Sequence, residues 1–236
     1  AGFQQSYTYF AWRNLKWELE EYARELAEDS AAFLRPSFWP TTHDILTPYM
    51  QYGGPTAWKL RAALAATLVP SYGIYAGYEL VENVARPGVE EQIDNEKYEL
   101  KDRHWSDYEA GGTKAGQSLA PYLKALNEIR HAHPSLQWLR NVRLHHVDDE
   151  NVMAFSKRRR VDGRDDIVLV VANLDPHATR ETNVHLDMPA LGLRPGDIFV
   201  AHDLITGASW QWGQHNFVRL GPDGEPRWWP LFIDIA

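Results

Sequence analysis

Two short stretches of this chain decide its fold: WPTTHD at residues 39–44 and GIYAGYE at residues 73–79. Each reads as a short buried strand whose last residues turn polar, and residues 55–68 between them repeat apolar side chains at helical spacing. The order strand, helix, strand predicts parallel neighbouring strands. In an eight-stranded α/β barrel the carboxyl ends of the strands form the rim of the active site, so His43 and Asp44 are candidates for chemistry.

The same alternation of strand and helix extends to both sides of these stretches. Residues 3–10 alternate like a strand, Asn14 is placed to cap a helix over residues 15–28, and residues 117–131 have a further helical period. Residues 80–113 form a long loop rich in charged and aromatic side chains. Loops longer than about 15 residues in compact domains are usually functional or disordered, and the aromatic content argues against disorder.

The composition changes once, because none of the 11 tyrosines follows Tyr122 and the helical period ends at residue 134. Short alternating runs separated by turn signals then predict an antiparallel β-sandwich of about 100 residues. We therefore expect two domains: 1–134, the C-terminal part of an α/β barrel, and 135–236, a β-sandwich. The basic run 157–160 reads as a solvated hairpin.

Bulk properties exclude several classes of function. The formal net charge of -8 argues against a nucleic-acid or anionic-membrane partner, and the absence of cysteine excludes a disulfide framework and a thiolate nucleophile. No run of about 18 apolar residues predicts a membrane span, and the first residues lack the pattern of a signal peptide. The strand-like start has nothing before it to pair with, so we expect a fragment of a larger protein.

The position of Asp44 in the sequence is compatible with several roles. A carboxylate beside a histidine at a strand end can act as a general acid, a base or a metal ligand, or it can simply cap the segment that begins at Ile45. For His43, the alternative to substrate binding is a core histidine held by a backbone group.

The ordered set of motifs resembles a known family. The second stretch is similar to the eighth barrel strand of the α-amylase superfamily, and the His-Asp pair to the end of the seventh. Together with GFQQSYTYF at 2–10, YGG at 52–54, IDNEKY at 93–98 and VVANLDPH at 170–177, the chain resembles the bacterial α-1,4-glucan:maltose-1-phosphate maltosyltransferases along its whole length.

This resemblance implies a function and site residues. The family transfers maltosyl units from maltose 1-phosphate to the non-reducing end of α-1,4-glucans with retention of configuration, in glycogen and α-glucan biosynthesis. Asp44 then matches the carboxylate that stabilises the transition state, His43 binds the hydroxyls of the reacting sugar, and Lys97 and Tyr98 contact the donor sugar. Thr42 stands where the superfamily usually has Asn.

The resemblance also implies an incomplete enzyme. The nucleophilic Asp and the acid/base Glu of the superfamily lie on barrel strands four and five, and nothing here matches them; Glu79 matches an architectural glutamate. We therefore expect barrel strands six to eight plus the β-domain, inactive alone, with the N-terminal remainder of the same enzyme as obligatory partner. The resemblance further implies a cytoplasmic homodimer and no organic cofactor.

Two rival functions are another superfamily enzyme, trehalose-converting or branching, and a non-catalytic glucan-binding module that uses Trp210 and Trp212. The histidines of the β-domain show no metal-ligand spacing with supporting carboxylates, so we expect no metal site. These histidines are His145, His146, His185, His202 and His215.

Overall fold

The computed structural model describes residues 5–94, 100–221 and 231–235. The first half contains three short parallel strands connected by helices. The elements are β1 (Gln5–Tyr7), α1 (Lys16–Ala27), β2 (Arg35–Phe38), α2 (Pro48–Tyr52), α3 (Gly54–Leu68), β3 (Ser71–Tyr72) and α4 (Ala120–Ala132). The strands lie in the order β1-β2-β3. Within the described ranges, no helix combines the length and the apolar character needed to span a bilayer.

The helices lie where the helical periods of the sequence predict them. The two strands predicted in the stretches 39–44 and 73–79 lie earlier in the chain than expected. The strand expected at 39–42 lies at Arg35–Phe38, and the strand expected at 73–77 lies at Ser71–Tyr72. The pairing explains the difference, because Phe38 pairs with Tyr72 and no further rung follows. The polar stretches are therefore free to turn away beyond the sheet.

The cap of α1 also differs from the prediction. The side chain of Asn14 donates to the carbonyl of Trp12 at 3.4 Å instead of capping the helix. Glu18 takes that role, since its Oε2 accepts from the backbone N–H of Asn14 at 3.1 Å and of Leu15 at 3.0 Å. A carboxylate in the first turn satisfies orphan donors and complements the helix dipole.

The second half is antiparallel, as predicted. Its strands are β4 (Val142–Val147), β5 (Val152–Val161), β6 (Arg164–Asn173), β7 (Arg180–His185), β8 (Phe199–Asp203), β9 (Ser209–Trp212), β10 (His215–Leu220) and β11 (Leu231–Ile235). They pair in one continuous order, β10-β7-β4-β5-β6-β11-β8-β9.

The facing layers expected of a sandwich come from one sheet that curls round its own core. Strand β4 connects the two parts, because residues 142–145 pair with β5 and residues 146–147 pair with β7. Side chains from both ends of the strand order, such as Val218 on β10 and Trp212 on β9, belong to one buried cluster. The other face of β5 and β6 packs on the helices, with Phe155 and Val170 in that core.

The basic run 157–160 is only partly a solvated hairpin, which corrects the sequence interpretation. The turn itself is as expected, with Asp162 and Gly163 both at positive φ, 49° and 82°, as a two-residue hairpin turn requires. Lys157, however, is fully buried under the helices. Its Nζ donates to the carbonyls of Leu68 at 3.2 Å and Leu136 at 3.4 Å.

The C-terminal end of α3 is completed by side chains from distant parts of the chain. The Arg130 guanidinium donates to the carbonyls of Ala66 and, at 2.7 Å, of Pro70. Lys157 reaches the carbonyl of Leu68 in the same turn. The last carbonyls of a helix have no partner within it, and cations there complement its dipole.

Candidate active site

The carboxyl ends of β1, β2 and β3 meet at one edge of the parallel sheet. The segments at this edge line a cavity of about 1070 Å³, which includes His43 and Asp44. Among the described residues, the lining consists of residues 5–9, Trp12, Ser37, Trp39, residues 42–45 and Tyr75.

A tight turn presents His43 and Asp44 to the cavity. Thr42 and Ile45 exchange two backbone hydrogen bonds, at 3.1 and 3.3 Å, so the pair occupies the two central positions between them. The Thr42 hydroxyl accepts from the backbone N–H of Asp44 at 3.2 Å, the local bond by which Ser and Thr stabilise turns. The hydroxyl of Thr42 thus has a structural role in holding Asp44.

The two side chains contact each other and remain accessible. His43 Nε2 lies 2.9 Å from Asp44 Oδ2, with the side chains 43% and 47% exposed. Since an ionised carboxylate only accepts, this bond places the proton on His43 Nε2. His43 is therefore not the buried core histidine considered as its alternative, and Asp44 does not cap a regular helix, since the next helix, α2, begins at Pro48.

The long loop holds this turn from outside. The backbone N–H of Gln92 donates to the carbonyl of His43 at 3.2 Å, and Leu46 donates to the carbonyl of Glu90. Trp12 reaches the same loop by an indole N–H bond of 2.9 Å to the carboxylate of Glu90. The loop and the strand ends thus form one polar and aromatic rim.

Sequence reasoning missed the aromatic part of this rim. Tyr7, Tyr9 and Trp12 are 65%, 72% and 42% exposed beside the cavity, and the rings of Tyr9 and Trp12 are 5.6 Å apart. Exposed aromatic rings at a pocket supply apolar faces on which flat ligand surfaces can stack. The alternation in SYTYF was interpreted as one strand over residues 3–10. In the structure only residues 5–7 form β1, and Tyr9 and Trp12 lie in a 3₁₀ turn that follows it.

Trp39 lines the cavity because of a glycine on the next segment. Its ring packs against the backbone of Gly73, so closely that a Cβ there would lie 2.2 Å from ring atoms. Tyr75 follows on the same segment, with its ring centroid 6.2 Å from that of His43. The predicted stretch 73–79 therefore contributes to the site just beyond the end of β3.

The other sequence-predicted site residues fall into two groups. Lys97 and Tyr98 lie outside the described residues. Glu79 lies in a 3₁₀ turn, Tyr78–Leu80, and is not part of the cavity lining, in keeping with an architectural role.

Trp210 and Trp212 face the same side of β9, as their alternation predicts, but that side is the inside of the curled sheet. Trp212 is 7% exposed, and Trp210 packs against the same buried cluster. Trp212 therefore offers no open face for a glucan, and Trp210 is half-buried.

Known protein sequences match this chain over most of its length. Residues 144–227 match the family model described as GLGE, C-terminal. The α-1,4-glucan:maltose-1-phosphate maltosyltransferase 2 of Streptomyces coelicolor is 51% identical over 226 residues, which cover 95% of this chain and 33% of that protein. The maltosyltransferase of Arcanobacterium haemolyticum is 47% identical over 232 residues, again 95% of this chain and 33% of the relative. The chain thus spans about a third of the length of these curated relatives.

Solved structures share the fold at much lower identity. The noncanonic maltogenic α-amylase AmyB from Thermotoga neapolitana aligns with a TM-score of 0.63 and 12% identity, over 99% of this chain and 51% of that one. The α-amylase from Geobacillus thermoleovorans aligns with a TM-score of 0.61 and 13% identity, over 96% and 45%. These solved structures share the fold of this chain. By its sequence, the chain matches the C-terminal portion of the α-1,4-glucan:maltose-1-phosphate maltosyltransferases.

Proposed function

We propose that this chain is part of an enzyme that transfers maltosyl units from maltose 1-phosphate to the non-reducing end of α-1,4-glucans, with retention of configuration. The observation that carries the proposal is the His43–Asp44 pair at the carboxyl edge of the parallel sheet, facing an aromatic-lined cavity. Similarity to named maltosyltransferases over 95% of the chain supports the same reaction.

The three parallel strands are proposed as the sixth to eighth strands of a (β/α)8 barrel, with 1–134 as the barrel part and 135–236 as the C-terminal β-domain. Consecutive strands that pair in parallel through helical connections support this assignment. The N-terminal remainder of the enzyme then supplies the other barrel strands, the nucleophilic Asp and the acid/base Glu. Without that partner the chain is expected to be inactive.

The reaction proceeds by two displacements in this proposal. A carboxylate of the remainder attacks the anomeric carbon of the maltosyl unit while the bond to phosphate breaks. Phosphate leaves with the electron pair and takes a proton from the acid/base Glu, which is then ready to act as a base. A terminal glucan hydroxyl then displaces the enzyme carboxylate and gives its proton to the acid/base Glu. Both steps pass through an oxocarbenium-like transition state.

Asp44 and His43 are proposed to act on the sugar ring. Asp44 accepts from ring hydroxyls, and this bond strengthens as positive charge develops on the ring in the transition state. His43 Nε2–H holds the Asp44 carboxylate in the free protein, and the two share the hydroxyls of bound sugar. Lys97 and Tyr98 are proposed to bind the donor sugar, since a lysine ammonium donates to hydroxyls without a partner carboxylate.

Neither step needs an organic cofactor or a metal. A homodimer and a cytoplasmic location are proposed by similarity to the family.

The test is the rate of phosphate release from maltose 1-phosphate with a glucan acceptor, measured on the full-length enzyme. Asp44→Asn keeps the size of the side chain and removes its charge, and we expect kcat/KM to fall by about 100-fold or more. Asp29→Asn is the matched control, because Asp29 is an exposed aspartate outside the cavity. Equal activity of the two variants would remove Asp44 from the site.

The same assay separates the rival enzymes and tests Lys97. Phosphate release that depends on glucan supports maltosyl transfer, while trehalose formation or branching without phosphate release supports the other superfamily reactions. Lys97→Ala is expected to raise the apparent KM for maltose 1-phosphate, and an unchanged KM contradicts its proposed contact.

A further inference from the structure

Three histidines of the β-domain lie in one row across neighbouring strands. His146 on β4 is the register partner of His185 on β7, and His185 is the register partner of His215 on β10. Directly paired residues of adjacent strands project from the same face of a sheet. Asp148 follows two residues after His146, which brings a carboxylate to the same face.

The side chains of this cluster are in direct contact. Asp148 Oδ1 lies 2.9 Å from His185 Nε2 and 3.4 Å from His146 Nε2. The nitrogens of His146 and His185 and this oxygen all lie within 4.8 Å of one another. On its other side, His185 Nδ1 lies 2.7 Å from His215 Nδ1.

We propose that His146, Asp148 and His185 form a binding site for a divalent transition-metal ion of the zinc type. Imidazole nitrogens with one carboxylate are the donors that Zn²⁺ and its neighbours prefer, whereas Mg²⁺ and Ca²⁺ prefer oxygen ligands. Zinc bonds of about 2.0–2.1 Å in a tetrahedron put the donor atoms about 3.4 Å apart. The Asp148–His146 spacing already has this value, and the Asp148–His185 spacing needs to open by about half an ångström.

The fourth residue orients the site. A metal on His185 Nε2 replaces the proton that this nitrogen shares with Asp148, so the remaining ring proton lies on Nδ1. That N–H then donates to His215 Nδ1, the type of outer contact that fixes the ring of a metal-binding histidine. Three protein ligands leave a fourth position for water, since His146 and Asp148 are 73% and 50% exposed.

The neighbouring histidine does not take part. His145 is on the opposite face of β4, where its Nε2 bonds the Ser156 hydroxyl and its Nδ1 accepts from the backbone N–H of Asp187. The side-by-side pair His145–His146 thus separates into one structural and one exposed histidine. The sequence predicts no metal site because the ligands come from two strands that are distant in the chain, and their register is not readable from spacing.

A second group among the described residues, His133, Asp166 and Asp234, is less suited to a metal. Asp166 already uses one oxygen on His133 and the other on the backbone N–H of Ser135, at 2.7 and 2.6 Å. Since both oxygens of Asp166 are already used, we interpret this group as a structural contact.

The test is calorimetric titration of Zn²⁺ into the full-length protein, purified without a histidine tag and stripped with chelator. We expect one saturable equivalent that is lost in His185→Gln and in Asp148→Asn, and that Mg²⁺ does not replace. His215→Ala is expected to weaken the same binding by about 10-fold, as outer contacts typically do. His131→Gln, an exposed histidine on α4, is the matched control and keeps the wild-type isotherm.

The melting temperature of each variant shows whether it folds. Zinc raises the melting temperature of the wild type and of His131→Gln, because it binds only the folded state, and has no such effect on Asp148→Asn or on the exposed His146→Gln. Identical zinc isotherms for the wild type, Asp148→Asn and His146→Gln, or no binding to the wild type, would overturn the proposal.

Discussion

Lys157 is a buried cation without a carboxylate partner among the contacts that the described residues show. Its ammonium donates to the carbonyls of Leu68 and Leu136. Burial, with a smaller repulsion from Arg130, lowers the pKa of Lys157 to about 7. A lysine in this position is therefore half neutral near physiological pH, although an unfolded lysine is fully charged there.

This pKa predicts how stability depends on pH. Between about pH 7 and the unfolded lysine pKa near 10.4, the unfolded chain binds the proton and the folded chain does not, so the free energy of unfolding rises with pH. The contribution is at most about 1.4 kcal/mol per pH unit. Lys157→Met removes this rise, and urea unfolding at pH 7, 8 and 9 measures it.

Lys124→Met is the control for this experiment, because Lys124 is 76% exposed on α4. It should keep the wild-type dependence on pH. A Lys157→Met variant whose stability changes with pH as the wild type does would show that Lys157 stays charged in the folded protein.

The catalytic candidates and Lys157 show what single residues reveal in a sequence. His43 and Asp44 were selected as candidates because polar residues after a buried strand have a positional meaning that needs no knowledge of distant contacts. Lys157 was read as solvated because its neighbours, Arg158 to Arg160, are charged. Its burial depends on α3 and α4 packing over β5, which no local pattern contains.

Among the elements, the loop after β3 depends most on one glycine. Gly77 has φ +89°, and a Cβ there would lie 2.1 Å from Glu82 Oε2. Glu82 connects this loop to the segment beyond it through bonds to Lys101 at 2.9 Å and Arg103 at 3.0 Å. The loop conformation therefore requires both a left-handed backbone and an empty space.

Gly77→Ala should disturb this loop more than the backbone strain alone does. Gly88→Ala is the matched control, since Gly88 also has positive φ, +77°, but a Cβ added there would meet no described atom within 4 Å. We expect the control to lose about 1 kcal/mol and Gly77→Ala about 1–3 kcal/mol more, measured by urea unfolding. Equal losses would mean that Glu82 moves aside freely.

Strand ends and turns were less predictable than the elements themselves. Helices α1, α3 and α4 and the strands of the β-domain follow from periodicity and turn residues such as Asp162–Gly163. The parallel strands are shorter than their apolar runs because a strand ends where its partner ends, and β3 has only two residues. The aromatic rim at Tyr9 and Trp12 was missed for the same reason.

In the molecule as a whole, the two predicted domains share a core and a partly buried polar contact. His133, at the end of α4, bonds Asp166 on β6 at 2.7 Å. Burial acts to lower the pKa of His133. The hydrogen bond to Asp166 and its negative charge outweigh burial, so the pKa of His133 is raised. Burial likewise acts to raise the pKa of Asp166, but the bonds to His133 and Ser135 outweigh it and lower that pKa.

These two shifts define a window of pH. Because the pKa of His133 is raised in the folded protein, its protonation stabilises the fold at pH values below the unfolded pKa near 6.5. This contribution to stability is lost as the pH rises through the folded pKa. Because the pKa of Asp166 is lowered in the folded protein, its ionised carboxylate stabilises the fold above about pH 4. This contribution is lost at lower pH. Asp166→Asn should therefore reduce the free energy of unfolding most between about pH 4 and 6.5, by about 1 kcal/mol or more, and less at pH 9.

Urea unfolding across this range checks the prediction, with Asp29→Asn as an exposed control that shows no such window. A loss from Asp166→Asn that is equal at pH 5 and pH 9 would show that His133 does not carry charge in the folded state.

The completion of α3 by Arg130 and Lys157 has a consequence for protein synthesis. Its last turn lies at residues 65–68, but the two cations that bind the carbonyls at this end are 60 to 89 positions later in the chain. While the ribosome is still adding those later codons, the helix end has only water for partners. Its final turn is therefore expected to fray in the nascent polypeptide until β5 leaves the exit tunnel.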